Sequence, residues 1–268
     1  MKLTKEQKEY IVFLYSIGDY TFTDIAKKYN KPISSIKYLL NSRGYTAKSK
    51  SELSRKYNID STFFSDLDSA EKAYFLGWVY SDGSINIKYN SLRISLKEDD
   101  RDVLEVLKNL IKSEKPLKKI NVDKKRKGFE NSKDQFLLEI TNKDIVENLI
   151  SIGLIENKSA NISFPNLPDE LYPYFIRGYF EGDGWFTDTD KTKQLGFIGS
   201  DEFIKTLQEI LHSYNIKMNI NKKGKMSTLT CGGHSNKNYK LFFNIIYKDK
   251  IELSLKRKYS KLFKFISK

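Results

Sequence analysis

At 268 residues, with 39% hydrophobic and 13% aromatic content, the chain is long and oily enough for one large domain or a medium domain with a small companion, and disorder is excluded. Lys and Arg number 47 against 34 Asp and Glu; the net +13 favours polyanionic partners, chiefly nucleic acid or an acidic membrane surface, although Lys richness also follows from an AT-rich genome. A single cysteine, Cys231, and two histidines exclude an intrachain disulfide and a Cys- or His-rich metal cage, and neither the opening MKLTKEQKEY nor the runs IVFLY and FFNIIY make a signal core or a membrane span, so the expectation is a soluble, cytoplasmic protein with no membrane partner.

The first segment reads as three short helices. One runs from about Lys5 to Ile17 with Ile11, Leu14 and Tyr15 at helical spacing; a second follows Thr21 or Thr23 through DIAKKY; a third starts at Ser34 or Ser35 and ends at Gly44, a left-handed cap. Ala26 is small enough for helices two and three to cross closely, with Ile25, Ile36 and Leu40 as shared core. The pattern resembles a helix-turn-helix, whose third helix would present Ser35, Lys37, Tyr38, Asn41 and Arg43 to DNA. A three-helix bundle without DNA contact is the alternative. The expected division is a helix-turn-helix module over 1–46, a polar linker over 47–66, and two repeats over 67–160 and 161–268.

Each repeat opens with an apolar helix ending in acidic-Gly, EKAYFLGWVYSDGS and LYPYFIRGYFEGDGWF, and Asp82 and Asp183 stand 101 residues apart. Strands are expected near 84–88, 92–97, 117–123 and 135–141, with helices near 99–112 and 143–151; in the second repeat, strands near 185–188, 194–199, 216–222 and 227–232, with helices near 201–213 and 235–247. The fold class is therefore α+β, two pseudo-symmetric αββαββα halves behind a small all-α module. Alternation gives each sheet an oily back (Leu92, Ile94, Leu96; Ile216, Met218, Ile220) and a basic, amide-rich front. Candidate DNA contacts on the fronts are Lys88, Arg93, Lys97, Lys217, Asn219, Asn221 and Lys223.

FLGWVYSDG (Phe75 to Gly83) and IRGYFEGDG (Ile176 to Gly184) share apolar-x-Gly-apolar-apolar-x-small-Asp-Gly. Gly77 and Ser81, like Gly178 and Gly182, are four apart, so small residues share one helix face and two backbones can approach closely there. Packed through those faces, the helices would deliver Asp82 and Asp183 side by side, where mutual repulsion is relieved by a divalent cation; oxygen ligands favour Mg2+, with Mn2+ as substitute. A single D-G after an apolar helix is more often a helix stop, and duplication of the whole pattern reverses that weighting.

These motifs, with GFIGSDEFIKTLQEIL and NIIYKDKIELSLKRKYSKL, resemble the LAGLIDADG homing endonucleases in their single-chain, two-motif form, over roughly residues 67 to 265. The resemblance implies two halves forming a DNA-binding saddle, with the motif helices between them, in a monomer acting as a pseudo-dimer. It implies that Asp82 and Asp183 bind metal and catalyse, with the carbonyls of Ser81 and Gly182 as further ligands, and that a basic residue polarises the attacking water. Lys143 and Lys193 are the candidates by position, each weighed against an ordinary surface lysine. The implied activity is site-specific hydrolysis of both DNA strands across the minor groove, leaving short 3′ overhangs at a long, near-asymmetric target, as in intron homing by a mobile element of bacterial or phage-like context. Alternatives on the same fold are a non-cleaving DNA-binding regulator and an intron RNA maturase. Tyr80 and Glu181 occupy the same motif position with different charge, and Tyr80 departs from the family pattern.

Overall fold

The computed structural model describes residues 3–16, 20–46, 57–123, 132–224, 226–232, 236–249 and 252–267. The chain forms two compact units, 1–57 and 58–268.

In the first unit, α1 (Lys5–Ser16), α2 (Phe22–Lys28) and α3 (Ile33–Asn41) enclose Ile11, Leu14, Ile25, Ala26, Ile36 and Leu40. Thr21 and Asp24 form a reciprocal capping box that fixes the start of α2. The third helix begins earlier than its serines indicated: Pro32 stands at the N-cap and Ile33 opens the helix without a side-chain cap. Gly44 takes φ +83, which an L side chain rarely adopts.

In the second unit the order is α4 (Ala70–Ser81), β1 (Gly83–Asn86), β2 (Ser91–Lys97), α5 (Arg101–Leu110), β3 (Lys118–Ile120), β4 (Gln135–Thr141) and α6 (Lys143–Ser151). It repeats as α7 (Tyr172–Asp183), β5 (Trp185–Asp188), β6 (Lys193–Gly199), α8 (Asp201–Ser213), β7 (Asn219–Lys223), β8 (Met226–Gly232) and α9 (Asn236–Ile246), followed by α10 (Lys256–Ile266). Both sheets are antiparallel with the same order, β1-β2-β4-β3 and β5-β6-β8-β7. The duplication is thus topological as well as textual, and the fold is α+β. No helix among the described residues is long and apolar enough to cross a membrane.

Alternation sets the layers. Leu92, Ile94 and Leu96 are buried while Arg93 and Lys97 are exposed; Ile216 and Met218 are buried while Lys217, Asn219 and Asn221 are exposed. Three features of this unit depart from the sequence reading. The strands expected near 117–123 and 216–222 are only Lys118–Ile120 and Asn219–Lys223, so the alternation of Ile216 to Met218 runs ahead of its strand. Residues 58–66 are no linker: Phe63 and Phe64 are buried and both pack on Phe75 of α4. The linker's 47–56 stretch lies outside the described residues. The C-terminal α10 has no counterpart among the expected elements; Leu262 and Phe265 anchor it to the core, with Phe265 against Phe186 and Tyr239.

Candidate active site

The two motif helices, α4 and α7, carry buried apolar side chains on nearly every face, as a helix enclosed between two sheets must. Their crossing point is Gly77 on Gly178. A Cβ on Gly77 would lie 2.7 Å from the Tyr179 amide nitrogen and 2.9 Å from the Gly178 Cα, and one on Gly178 would lie 3.1 Å from the Gly77 Cα. No larger side chain fits there without moving a backbone.

At the C-terminal ends, Ser81 and Gly182 repeat the arrangement. A Cβ on Gly182 would collide with the Ser81 side chain and come within 2.5 Å of Asp82 Oδ2. The Asp82 carboxylate therefore leans over the backbone of the opposite helix. Asp82 caps α4 and Asp183 is the last residue of α7. Burial pushes the Asp183 carboxyl up to about 6; Asp82 adds to the shift, and Lys158 and Lys258 oppose it. Asp82 keeps an exposed edge, yet burial of its carboxyl raises its pKa too, against Lys258 first and Lys158 second.

Those two lysines are the basic residues of the site, and sequence reading missed both. Lys158 Nζ donates to the Ser81 carbonyl at 2.8 Å. Lys258 Nζ donates to the carbonyls of Phe180 at 2.7 Å, Gly182 at 3.0 Å and Gly184 at 2.5 Å. The arrangement is duplicated: each lysine meets the carbonyl just before its own repeat's aspartate. Burial lowers both amines, Lys258 to about 8 with Arg257 adding to the effect. Their separation of 100 residues nearly matches the 101 between the aspartates, a signal that was present in the sequence but lies outside the motif.

The two lysines named from sequence are engaged elsewhere. Lys143, at the start of α6, pairs with Glu147 at 3.4 Å in an exposed i,i+4 bridge. Lys193 donates to Asp188 at 2.8 Å and to the Thr189 carbonyl at 3.3 Å at the far end of the β5–β6 hairpin. Neither is among the cations bearing on Asp82 or Asp183.

Buried charge distinguishes the second motif helix from the first. Glu181 accepts from the Tyr74 hydroxyl at 2.7 Å and the Tyr247 hydroxyl at 3.0 Å, and burial raises its carboxyl to about 7. Arg177, fully buried, donates to the carbonyls of Ile246, Asp249 (2.8 Å) and Leu253 (3.2 Å). Tyr80, equivalent to Glu181, only reaches the Ile152 carbonyl, at 3.4 Å. Both positions thus hold the segment leading to their repeat's lysine, one by a buried polar network and the other by a single long contact.

The donor set for a cation is oxygen only: two carboxylates and nearby main-chain carbonyls. Among the described residues no group of three or more His, Cys, Asp and Glu could hold a metal. That chemistry fits Mg2+ or Mn2+, which keep several waters, and not zinc. The Ser81 and Gly182 carbonyls, expected as further ligands, already accept from Lys158 and Lys258.

The residues read as DNA contacts are surface groups. Ser35, Lys37, Tyr38, Asn41 and Arg43 are exposed in the first unit, Arg43 lying 3.6 Å from Glu9. Lys97, Asn219 and Asn221 are exposed on their strands, Lys88 is exposed in the β1–β2 turn and Lys217 ahead of β7, outside the strands expected for them, and Arg93 is held by Glu139 at 2.8 Å, which also takes Lys115 at 2.7 Å. The Lys223 side chain lies outside the described residues.

Residues 170–250 match the family model of the LAGLIDADG-like domain. No curated protein matches the chain in sequence. Among solved structures, the homing endonuclease I-WcaI bound to its DNA recognition sequence is similar over 73% of this chain and 87% of that one, at 16% identity and a TM-score of 0.52. The meganuclease I-SmaMI bound to uncleaveable DNA covers 74% and 90% at 16% identity and a TM-score of 0.47. Full-length DUF199/WhiA from Thermatoga maritima covers 76% and 64% at 18% identity, also with a TM-score of 0.47. With residues 170–250 matched in sequence and both repeats built alike around one helix pair, the chain carries a LAGLIDADG-like domain on the fold of the single-chain LAGLIDADG homing endonucleases.

Proposed function

We propose that the chain is a site-specific DNA endonuclease that cuts both strands of a long, near-asymmetric target across the minor groove, leaving short 3′ overhangs. One observation carries this reading: two aspartates, two main-chain carbonyls and two lysines meet at the ends of a helix pair that nothing larger than glycine can cross. The minor groove is only about 6 Å wide, so two acids on touching helices are spaced to serve both strands from one place.

Asp82 and Asp183 would hold a divalent cation, Mg2+ or Mn2+, whose chemistry is to stabilise charge on the attacking and leaving oxygens. Burial raises both carboxyls, with Asp82 adding to the shift on Asp183, so a bound cation would offset the cost of holding them ionised away from water. Lys158 and Lys258 hold protons at Nζ next to the acids, where each can orient a water or steady a phosphate oxygen. The sheet fronts, through Lys88, Arg93, Lys97, Lys217, Asn219, Asn221 and Lys223, would read the two half-sites. Their differing side chains make the target asymmetric, and one chain acts as a pseudo-dimer. The first unit, as a helix-turn-helix, would add contacts from Ser35, Lys37, Tyr38, Asn41 and Arg43.

The test is selection of cut plasmids from a library carrying the DNA that flanks the gene, with and without Mg2+, followed by Asp82→Asn and Asp183→Asn. Cutting should require the metal and vanish in both variants while target binding remains. Undiminished cutting by both variants refutes the assignment. Specific binding without cutting by the unaltered chain favours a regulator instead.

A further inference from the structure

Lys258 sits on a segment that belongs to the second repeat, yet its anchor lies in the first. Its neighbour Arg257 forms a two-pronged pair with Asp100 at the entrance to α5: Nε to Oδ1 at 2.8 Å and Nη2 to Oδ2 at 2.9 Å. Asp100 is 4% exposed, whereas Arg257 has an open outer edge. This geometry suits an arginine and no lysine, because two parallel hydrogen bonds fix direction as well as distance. Leu255, two residues earlier, is buried, and its backbone amide bonds to Glu181. The amine that reaches the end of α7 is therefore held on its N-terminal side by one tie to its own repeat and one to the opposite repeat.

The first repeat mirrors this. Lys158 meets the Ser81 carbonyl, and four residues later the Ile162 carbonyl accepts from Ser200, the N-cap of α8 in the second repeat. Each lysine-bearing strap is thus fastened at the entrance of the other repeat's sheet-packing helix. The acids cross in the same sense: the Asp82 carboxylate lies against Gly182, whose carbonyl is one that Lys258 caps.

We propose that Asp100 is a positioning residue for Lys258, acting through Arg257, so that the first repeat sets the amine serving its own Asp82 although that amine belongs to the second. Ser200 does the same for Lys158 on the Asp183 side. Both amines reach both acids, so each clamp bears chiefly, not exclusively, on one half of the site and on one strand. The strand assignment rests on the nuclease reading; the clamp itself does not.

Two measurements separate the two. Reductive methylation of the metal-free full-length chain, read by peptide mass spectrometry, follows the accessibility of Lys258 with Lys158 as internal reference. Asp100→Asn and Arg257→Gln, the latter altering the pair from its solvent side, should each raise the plateau rate of Lys258 modification, read at a pH where the amine is neutral in every variant so that the lost Arg257 charge does not enter, on the order of tenfold, the scale of one charge-assisted pair, and leave Lys158 unchanged. Cleavage with each strand end-labelled should show one strand slowed about 10- to 100-fold in both variants, with target affinity kept, while Ser200→Ala slows the other strand. Unchanged Lys258 labelling in both variants overturns the proposal, as does an equal rise at Lys158 or equal slowing of both strands. If the unaltered chain cuts nothing, the nuclease reading falls, and the labelling alone decides the clamp.

Discussion

Replacing Gly77 by alanine puts one methyl group into the helix crossing, and its cost can be worked from the structure. The new Cβ would sit 2.7 Å from the Tyr179 amide nitrogen and 2.9 Å from the Gly178 Cα, both main-chain atoms that no rotamer change can move. Ordinary carbon contacts lie at about 3.5–4.0 Å, so α4 and α7 must part by roughly 1 Å. Overpacking of that kind costs about 1–3 kcal/mol, against which alanine regains up to about 1 kcal/mol of helix propensity. Because the Phe175 carbonyl, the Tyr179 amide and the Gly178 Cα all block the methyl, the upper figure applies, and a net loss of about 2 kcal/mol lowers Tm by roughly 4–8 °C for a unit of this size. Gly232→Ala is the control, since its nearest neighbour would be the Lys193 carbonyl at 3.5 Å, an ordinary contact. Circular dichroism melts of the three proteins give the comparison, and the same displacement should slow cleavage by up to about 100-fold. A Gly77→Ala protein melting at or above the parent temperature would refute the close crossing.

Two further outcomes follow from the same geometry. The folded-state pKa of Asp183 rises from 3.8 to about 6 and that of Glu181 from 4.5 to about 7. The folded chain then binds more protons than the unfolded one between about pH 4 and 7, so these groups make metal-free stability fall as pH rises through that window. Asp183→Asn should flatten that slope in denaturant titrations, and an unaltered slope would contradict the raised carboxyl. Removing residues 1–46 should shorten the footprint on target DNA and weaken binding without abolishing metal-dependent cutting; an unchanged footprint would count against DNA contact by the first unit.

Much of the architecture was legible in the residue string because it is written in local periodicity. Strand alternation in SLRISLK fixed which face of β2 is buried, since a pleated strand has period 2, and the four-residue spacing of Gly77–Ser81 and Gly178–Gly182 marked one narrow face on each motif helix. Local pattern failed where a segment earns its place only through distant partners. Residues 58–66 look polar and linker-like, yet Phe63 and Phe64 find a pocket against Phe75 that no neighbour in sequence announces.

The basic residues show the same limit most sharply. Lys143 and Lys193 stood near element boundaries, and the fold turned both toward local carboxylates. Lys158 and Lys258 reach carbonyls 77 and 76 residues away, on straps whose direction is set by Ser200, Asp100 and Arg257. Sequence by itself determined that two acid-bearing helices would be alike and able to touch, because small side chains and apolar faces act through short-range sterics. Only the tertiary structure decided which cations join them, because a lysine's electrostatic role depends on where a long chain closes back on itself, and a flexible side chain carries no periodic mark of its destination.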